Sequence, residues 1–319
     1  MTGNTNRSRP RQSWERGYDR VLIPTDGSAC ARAGARHGVR LAQGVGATVH
    51  AVHVVNVGAG LPSLELPQSS GTDEQRAAGQ EYVNEVAEYG EEAGVDVVTE
   101  LVDGRPAAAL QDYLADTDID LVAIGTRGRS NIERHLLGSV TQRLVRTSPV
   151  PVMTVGTEAA PDTLAGWGYN DVLLPTRGGD GAQLAIDHAV SLAARFDATL
   201  HVLYVVDIRS QAAKHDTYEL DSLTDTLHAT VTDEVVNRAS EAGVNARAVV
   251  QQGSPHSAIQ RYADDHGIDL VVMGTHGRGR VERFLLGSIT ERTIRTADVP
   301  VVTVRLDGWF GADPGDDPS

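Results

Sequence analysis

With 319 residues the chain is too long for one ordinary domain and suits two of about 150 residues, each large enough to bury its own core. Hydrophobic residues make up 40% and aromatics only 4%, so the interior is built from Ala, Val, Leu and Ile, which favours a parallel sheet covered by helices over an all-β sandwich. Asp and Glu number 43 against 28 for Lys and Arg; the net charge of −15 repels phosphate backbones and anionic lipid and argues against nucleic acid and membrane as partners.

Residues 1–17 are polar and basic without an apolar stretch and predict a disordered start, and no run of ~18 apolar residues follows anywhere. Cys30 is the sole cysteine, which excludes an internal disulfide or a CxxC metal knuckle. A soluble cytoplasmic protein is expected. Short β-branched runs then alternate with stretches of helical period, the pattern of βαβ units. Strands are predicted at 21–24, 48–55, 95–102, 121–125 and 150–155, with helices near 28–43, 73–93, 106–116 and 138–147. A Gly, Ala and Pro-rich linker is expected over 157–168. Further strands are predicted at 172–175, 199–206, 245–251, 270–274 and 299–304, and an acidic tail at 306–319.

The second set of elements repeats the first. Residues 121–155 align without gaps to 270–304 with 21 identities in 35 positions at a constant offset of 149, and YDRVLIPTDG from Tyr18 matches YNDVLLPTRG from Tyr169 at an offset of 151. The chain therefore reads as two α/β domains, 18–156 and 169–305, each a doubly wound, Rossmann-like unit of five parallel strands. Their expected contact is through the two last, apolar strands, an internal pseudo-dimer, with pairing of two whole chains left open.

Chemistry is expected at the carboxyl end of the fourth strand in each half. There the first half reads Gly125-x2-Gly128-x9-Gly138-Ser139 and the second Gly274-x2-Gly277-x9-Gly287-Ser288. Glycines let a backbone approach a ligand closely, and Gly-Ser opens a helix whose free N–H groups and positive dipole end favour phosphate. The alternative is a tight turn duplicated for packing alone. A Walker A loop is excluded because the only lysine, Lys214, lacks its context, and no G-x-G-x-x-G follows a first strand.

The strand ending VLIPTDGS, the HVV at His53–Val55, the G-x-P at Gly104–Pro106, the doubled G-x2-G-x9-G-S and a PV-rich last strand together resemble the universal stress protein family, in its ATP-binding branch. The resemblance implies an adenine nucleotide, ATP, with Mg²⁺ on its phosphates. It implies that Pro24, Thr25 and Asp26 line the adenine and ribose pocket and that the backbone of Val54 meets adenine. Gly125, Arg127, Gly128, Gly138, Ser139, Val140 and Thr141 match the ribose and phosphate loop. The second-half matches are Pro175, Thr176, Val205, Gly274, His276, Gly277, Gly287, Ser288, Ile289 and Thr290, with Arg177 standing where the first half has Asp26. The expected function is nucleotide binding in stress response or signalling. The alternatives are a slow ATP hydrolase or adenylate-processing enzyme and an interaction scaffold that binds no nucleotide.

Other residues divide between function and architecture. Arg129 and Arg278 follow the second motif glycine and either reach phosphate as charge-assisted donors or stay solvated. Glu133 and Glu282 either serve as bases toward water or pair with a neighbouring arginine. His50 and His53, three apart on a strand, fall on opposite faces, His53 in the core beside the pocket, and the histidines form no metal constellation. Cys30 reads as a small buried side chain. The scarcity of Lys beside so much acid reads as adaptation to a salt-rich cytoplasm, or simply as an acidic protein that uses Arg for Lys. The first reading predicts that the melting temperature rises from dilute buffer to molar KCl, since screening relieves self-repulsion; a flat or falling melt series counts against it.

Overall fold

The computed structural model describes residues 17–56, 68–128, 137–159, 168–179, 182–207, 220–275 and 286–305, and of 68–72 and 220–230 the backbone alone. The first half runs β1 (Arg20–Pro24), α1 (Ala29–Val45), β2 (Thr48–Val55), α2 (Gln68–Ala93), β3 (Val97–Asp103), α3 (Pro106–Asp116), β4 (Leu121–Gly125), α4 (Ser139–Thr147) and β5 (Val152–Val155). The second half repeats it as β6 (Asp171–Pro175), α5 (Gln183–Phe196), β7 (Thr199–Val206), α6 (Leu220–Glu241), β8 (Ala246–Gln252), α7 (Pro255–His266), β9 (Leu270–Gly274), α8 (Ser288–Thr296) and β10 (Val301–Val304). Within each half every pairing is parallel, in the order β3-β2-β1-β4-β5 and β8-β7-β6-β9-β10. The α/β class expected from the sequence is the class observed.

Three strands begin two residues later than the apolar pattern suggests, each for a local reason. The N–H of Val95 closes the end of α2 on the carbonyl of Gly90, 2.8 Å away, behind Gly94 at φ +67°, so β3 starts at Val97. Before β5, Val150 is held in a turn by the Ser148 hydroxyl, and Pro151 has no N–H for a ladder. Pro300 has the same effect before β10.

The two halves form one ten-stranded sheet, because β5 and β10 pair antiparallel in the register Val301 to Thr154, Val302 to Met153 and Thr303 to Val152. Met153 and Val302 occupy equivalent positions of the repeat, so a local two-fold axis passes between them. The hydroxyl of Thr154 donates to the Val301 carbonyl and that of Thr303 to the Val152 carbonyl, both at 3.1 Å. One core layer, under α1, α2, α5 and α6, and a second, under α3, α4, α7 and α8, each run across both halves.

The same axis relates two buried His–Tyr contacts that also cross between the halves. The Tyr18 hydroxyl lies 2.6 Å from His188 Nδ1, and the Tyr169 hydroxyl lies 2.9 Å from His37 Nδ1. All four side chains are at most 4% exposed. Among the described residues no helix is long and apolar enough to cross a membrane.

Candidate functional site

The strand order reverses between β1 and β4, and a cleft opens where those strands end. The last bond from the β1 side is that of the Thr25 N–H to the Val52 carbonyl, at 2.9 Å, after which the chain turns away through Asp26 and Gly27. In a parallel strand, alternate residues present both backbone groups to the same neighbour. Val54 therefore offers its N–H and C=O to the side that β1 has left. A cavity of about 560 Å³ fills this space. Pro24, Thr25, Asp26 and Val54 line one side of it, Gly125, Arg127 and Gly128 another, and Gly138, Ser139, Val140 and Thr141 a third. Apolar surface comes from Val52, Pro106, Leu110, Ile124 and Leu137, which sequence reasoning had not assigned.

The three motif glycines owe their bareness to different causes. A Cβ on Gly125 would stand 2.4 Å from the Cys30 carbonyl oxygen, so this glycine lets α1 lie against the end of β4, as does Gly34, whose Cβ would meet the Gly125 nitrogen at 2.7 Å. A Cβ on Gly128 would stand 2.6 Å from Asp26 Oδ2, so the loop passes directly over that carboxylate. Gly138 is different. Its φ of −61° suits any residue, and the atoms nearest an added Cβ, around Thr126–Gly128, lie at 3.4–3.6 Å, ordinary contact distance. Among the described residues nothing requires glycine there.

Around this opening the loop is pinned. The Gly138 N–H donates to the Thr126 carbonyl and the Thr141 hydroxyl to the Gly125 carbonyl, both at 2.8 Å. The N–H groups of Ser139, Val140 and Thr141 open α4 and have no partner within the helix, and its first turn contains no acid. Asp26 Oδ1 accepts from the Ser28 N–H at 3.0 Å, and Ser28 caps α1. His53, a half-buried residue of the cavity wall, donates from Nδ1 to the Thr25 carbonyl at 2.7 Å and packs edge-on to Tyr82. Cys30 is buried with its sulfur 3.9 Å from the Thr126 hydroxyl, and His50 bonds to Tyr113 on the opposite face from His53. Among the described residues no group of three or more His, Cys, Asp or Glu is placed to hold a metal ion.

The second half reproduces the frame. Pro175 ends β6, the Thr176 N–H donates to the Leu203 carbonyl, and Val205 by the same alternation turns its backbone toward the vacated side. Gly274 ends β9; Gly287 caps α8, its N–H on the Thr275 carbonyl, and the Thr290 hydroxyl donates to the Gly274 carbonyl. Ser288 and Ile289 open that helix. Two side chains change its electrostatics. Arg177 is exposed where the first half has Asp26, and Glu291 stands in the first turn of α8 where the first half has Gln142. A carboxylate there opposes an incoming anion at the helix start. The repeat offset alone could have flagged Glu291. Arg129, Glu133, His276, Gly277, Arg278 and Glu282 lie outside the described residues.

Both halves match the model of the universal stress protein family, over residues 17–156 and 168–305. A universal stress protein of Methanocaldococcus jannaschii is 36% identical over 142 residues, which is 43% of this chain and 82% of the relative. A Staphylococcus aureus protein named for the same family is 31% identical over 145 residues, 44% of this chain and 86% of its own. The crystal structure of a universal stress protein from Archaeoglobus fulgidus superposes with a TM-score of 0.66 at 23% identity, covering 90% of this chain and 96% of its own, a likeness of fold.

Proposed function

The chain belongs to the universal stress protein family, with its domain in tandem, and from this premise we propose that the first half binds an adenine nucleotide, ATP, and serves stress response or signalling. The observation that carries the reading is Gly138: a position free in conformation and uncrowded by the described protein atoms is bare beside a helix start whose first N–H groups have no partner within the helix. That is the arrangement a phosphate needs, because the ligand itself would occupy the space a side chain would fill.

The remaining parts of the cleft divide the nucleotide among them. The backbone pair of Val54, turned to the side that β1 has left, suits the hydrogen-bonding edge of adenine, with Val52, Ile124 and Leu110 supplying apolar contact to the ring. Asp26 offers an acceptor for a ribose hydroxyl, and the Thr126–Gly128 loop with the start of α4 receives the phosphates. Asp26 is the only carboxylate among the described lining residues, so Mg²⁺ would ride on the phosphates rather than in a protein cage.

The two halves are then unequal, the first binding ATP more tightly. Removing an acceptor so that a buried donor is left unpaired costs ~1–3 kcal/mol, about one to two decades of affinity, so Asp26→Ala is expected to weaken the tighter site by that factor. Arg177→Asp with Glu291→Gln should strengthen the weaker one. Calorimetric titration with ATP in high salt checks this; two equal sites in the parent, unmoved by Asp26→Ala, would refute the assignment.

A further inference from the structure

The phosphate loop of the first half is joined to the junction between the halves by a short run of hydrogen bonds. Arg127, which lines the cavity, donates from Nη2 to the Thr157 hydroxyl at 3.2 Å. Thr157 begins the single 3₁₀ turn Thr157–Ala159 that follows β5. At the other end of this turn the Ala159 carbonyl lies 2.7 Å from His37 Nε2. A carbonyl only accepts, so Nε2 carries the proton and Nδ1 of the neutral ring is the acceptor. It receives the hydroxyl of Tyr169, 2.9 Å away, the residue that leads into β6 of the second half. His37 and Tyr169 are both 0% exposed, and the Tyr169 ring is fixed edge-on by Phe196 of α5.

We propose that Arg127, Thr157, His37 and Tyr169 couple the first-half pocket to the junction, so that nucleotide in the pocket and the contact between the halves stabilise one another. The inference rests on the reading of that pocket as a nucleotide site. Its physical basis is preorganisation: ordering a free arginine opposes binding by roughly the freedom of one rotamer-rich side chain, and Arg127 held by Thr157 has already lost it. The 3₁₀ turn stays in place only while the carbonyl of Ala159 is held by His37, and His37 keeps its tautomer and orientation through Tyr169. A residue of the second half that never touches the pocket thereby sets its affinity, and reciprocity requires nucleotide to tighten the His37–Tyr169 contact in return.

The test is calorimetric titration of the full chain with ATP, in the parent, Thr157→Val, Thr157→Ser, Tyr169→Phe and the Thr157→Val/Tyr169→Phe double variant. Thr157→Val and Tyr169→Phe should each weaken binding about five-fold, the low end of coupling between linked sites. Thr157→Ser, which keeps the hydroxyl, should bind like the parent. The double variant should bind no more weakly than either single one, because both break the same connection. Unchanged affinity in a folded Tyr169→Phe, or effects that multiply in the double variant, would overturn the coupling while leaving the nucleotide site standing. A parent that binds no ATP would overturn both. Should Tyr169→Phe fail to fold, hydrogen exchange at the amides of 169–172 replaces it: ATP should slow exchange in the parent and not in Thr157→Val, and equal slowing in both would refute the coupling.

Discussion

Acidification from about pH 7 to about pH 4 is expected to remove roughly 3 kcal/mol of folding stability at each of His37 and His188. Burial holds both imidazoles down at about 4, from 6.5; at His37 the hydrogen bond to the Ala159 carbonyl opposes that effect and is the smaller influence. As the pH falls through 6.5 the unfolded chain takes up these two protons while the folded chain does not, so stability declines until the pH reaches the folded values. Above pH 6.5 neither state binds them and the contribution is constant. Two such sites together amount to a large part of the ~5–15 kcal/mol that stabilises a typical domain. Because both rings sit where the halves meet, the junction is the region expected to open first. Urea unfolding across this pH range checks the effect, and His37→Asn with His188→Asn isolates it: the double variant starts less stable but loses less on acidification. Identical pH slopes in the parent and the double variant would contradict the assignment.

Gly138→Val is expected to lower ATP affinity in the first half by about 100-fold or more, with the fold retained. The backbone needs no glycine at this position, and the branched side chain would project over the loop backbone at Arg127 and Gly128 and the open start of α4. Displaced phosphate contacts are charge-assisted and several at once, each worth ~1.5–3 kcal/mol, so two lost bonds already account for two decades or more. Gly125→Val serves as the contrast. Its side chain would meet the Cys30 backbone, so the expected loss there is of stability. A folded Gly138→Val with parental affinity would show that the bare position has another cause.

How much of this was legible in the sequence depends on the range of the interactions. The duplicated β-branched runs and turn glycines gave the element order, the parallel sheets and the place of the loop, because periodicity and turn chemistry act locally. The late starts of β3, β5 and β10 also have local causes, in Gly94, Ser148 with Pro151, and Pro300, which an apolar pattern alone does not weigh. The His–Tyr pairs were not seen, although Tyr18 with Tyr169 and His37 with His188 repeat at the same offset of 151. Nothing in either copy shows that each ring's partner lies in the other half; that follows only once β5 and β10 pair. Likewise the motif glycines look alike in sequence. Their separation into one that packs against backbone, one that passes over a carboxylate and one that is uncrowded required the positions of the Cys30 carbonyl and the Asp26 carboxylate.

Whether the first-half cleft is a nucleotide site is decided by equilibrium binding of ATP to the full chain, stripped of any nucleotide carried through purification. Saturable binding is expected in which the tighter site is lost in Gly138→Val and weakened in Asp26→Ala, with the acid-precipitated supernatant of unstripped protein containing adenine nucleotide. A folded parent chain that yields no nucleotide and shows no ATP binding by calorimetry would contradict it.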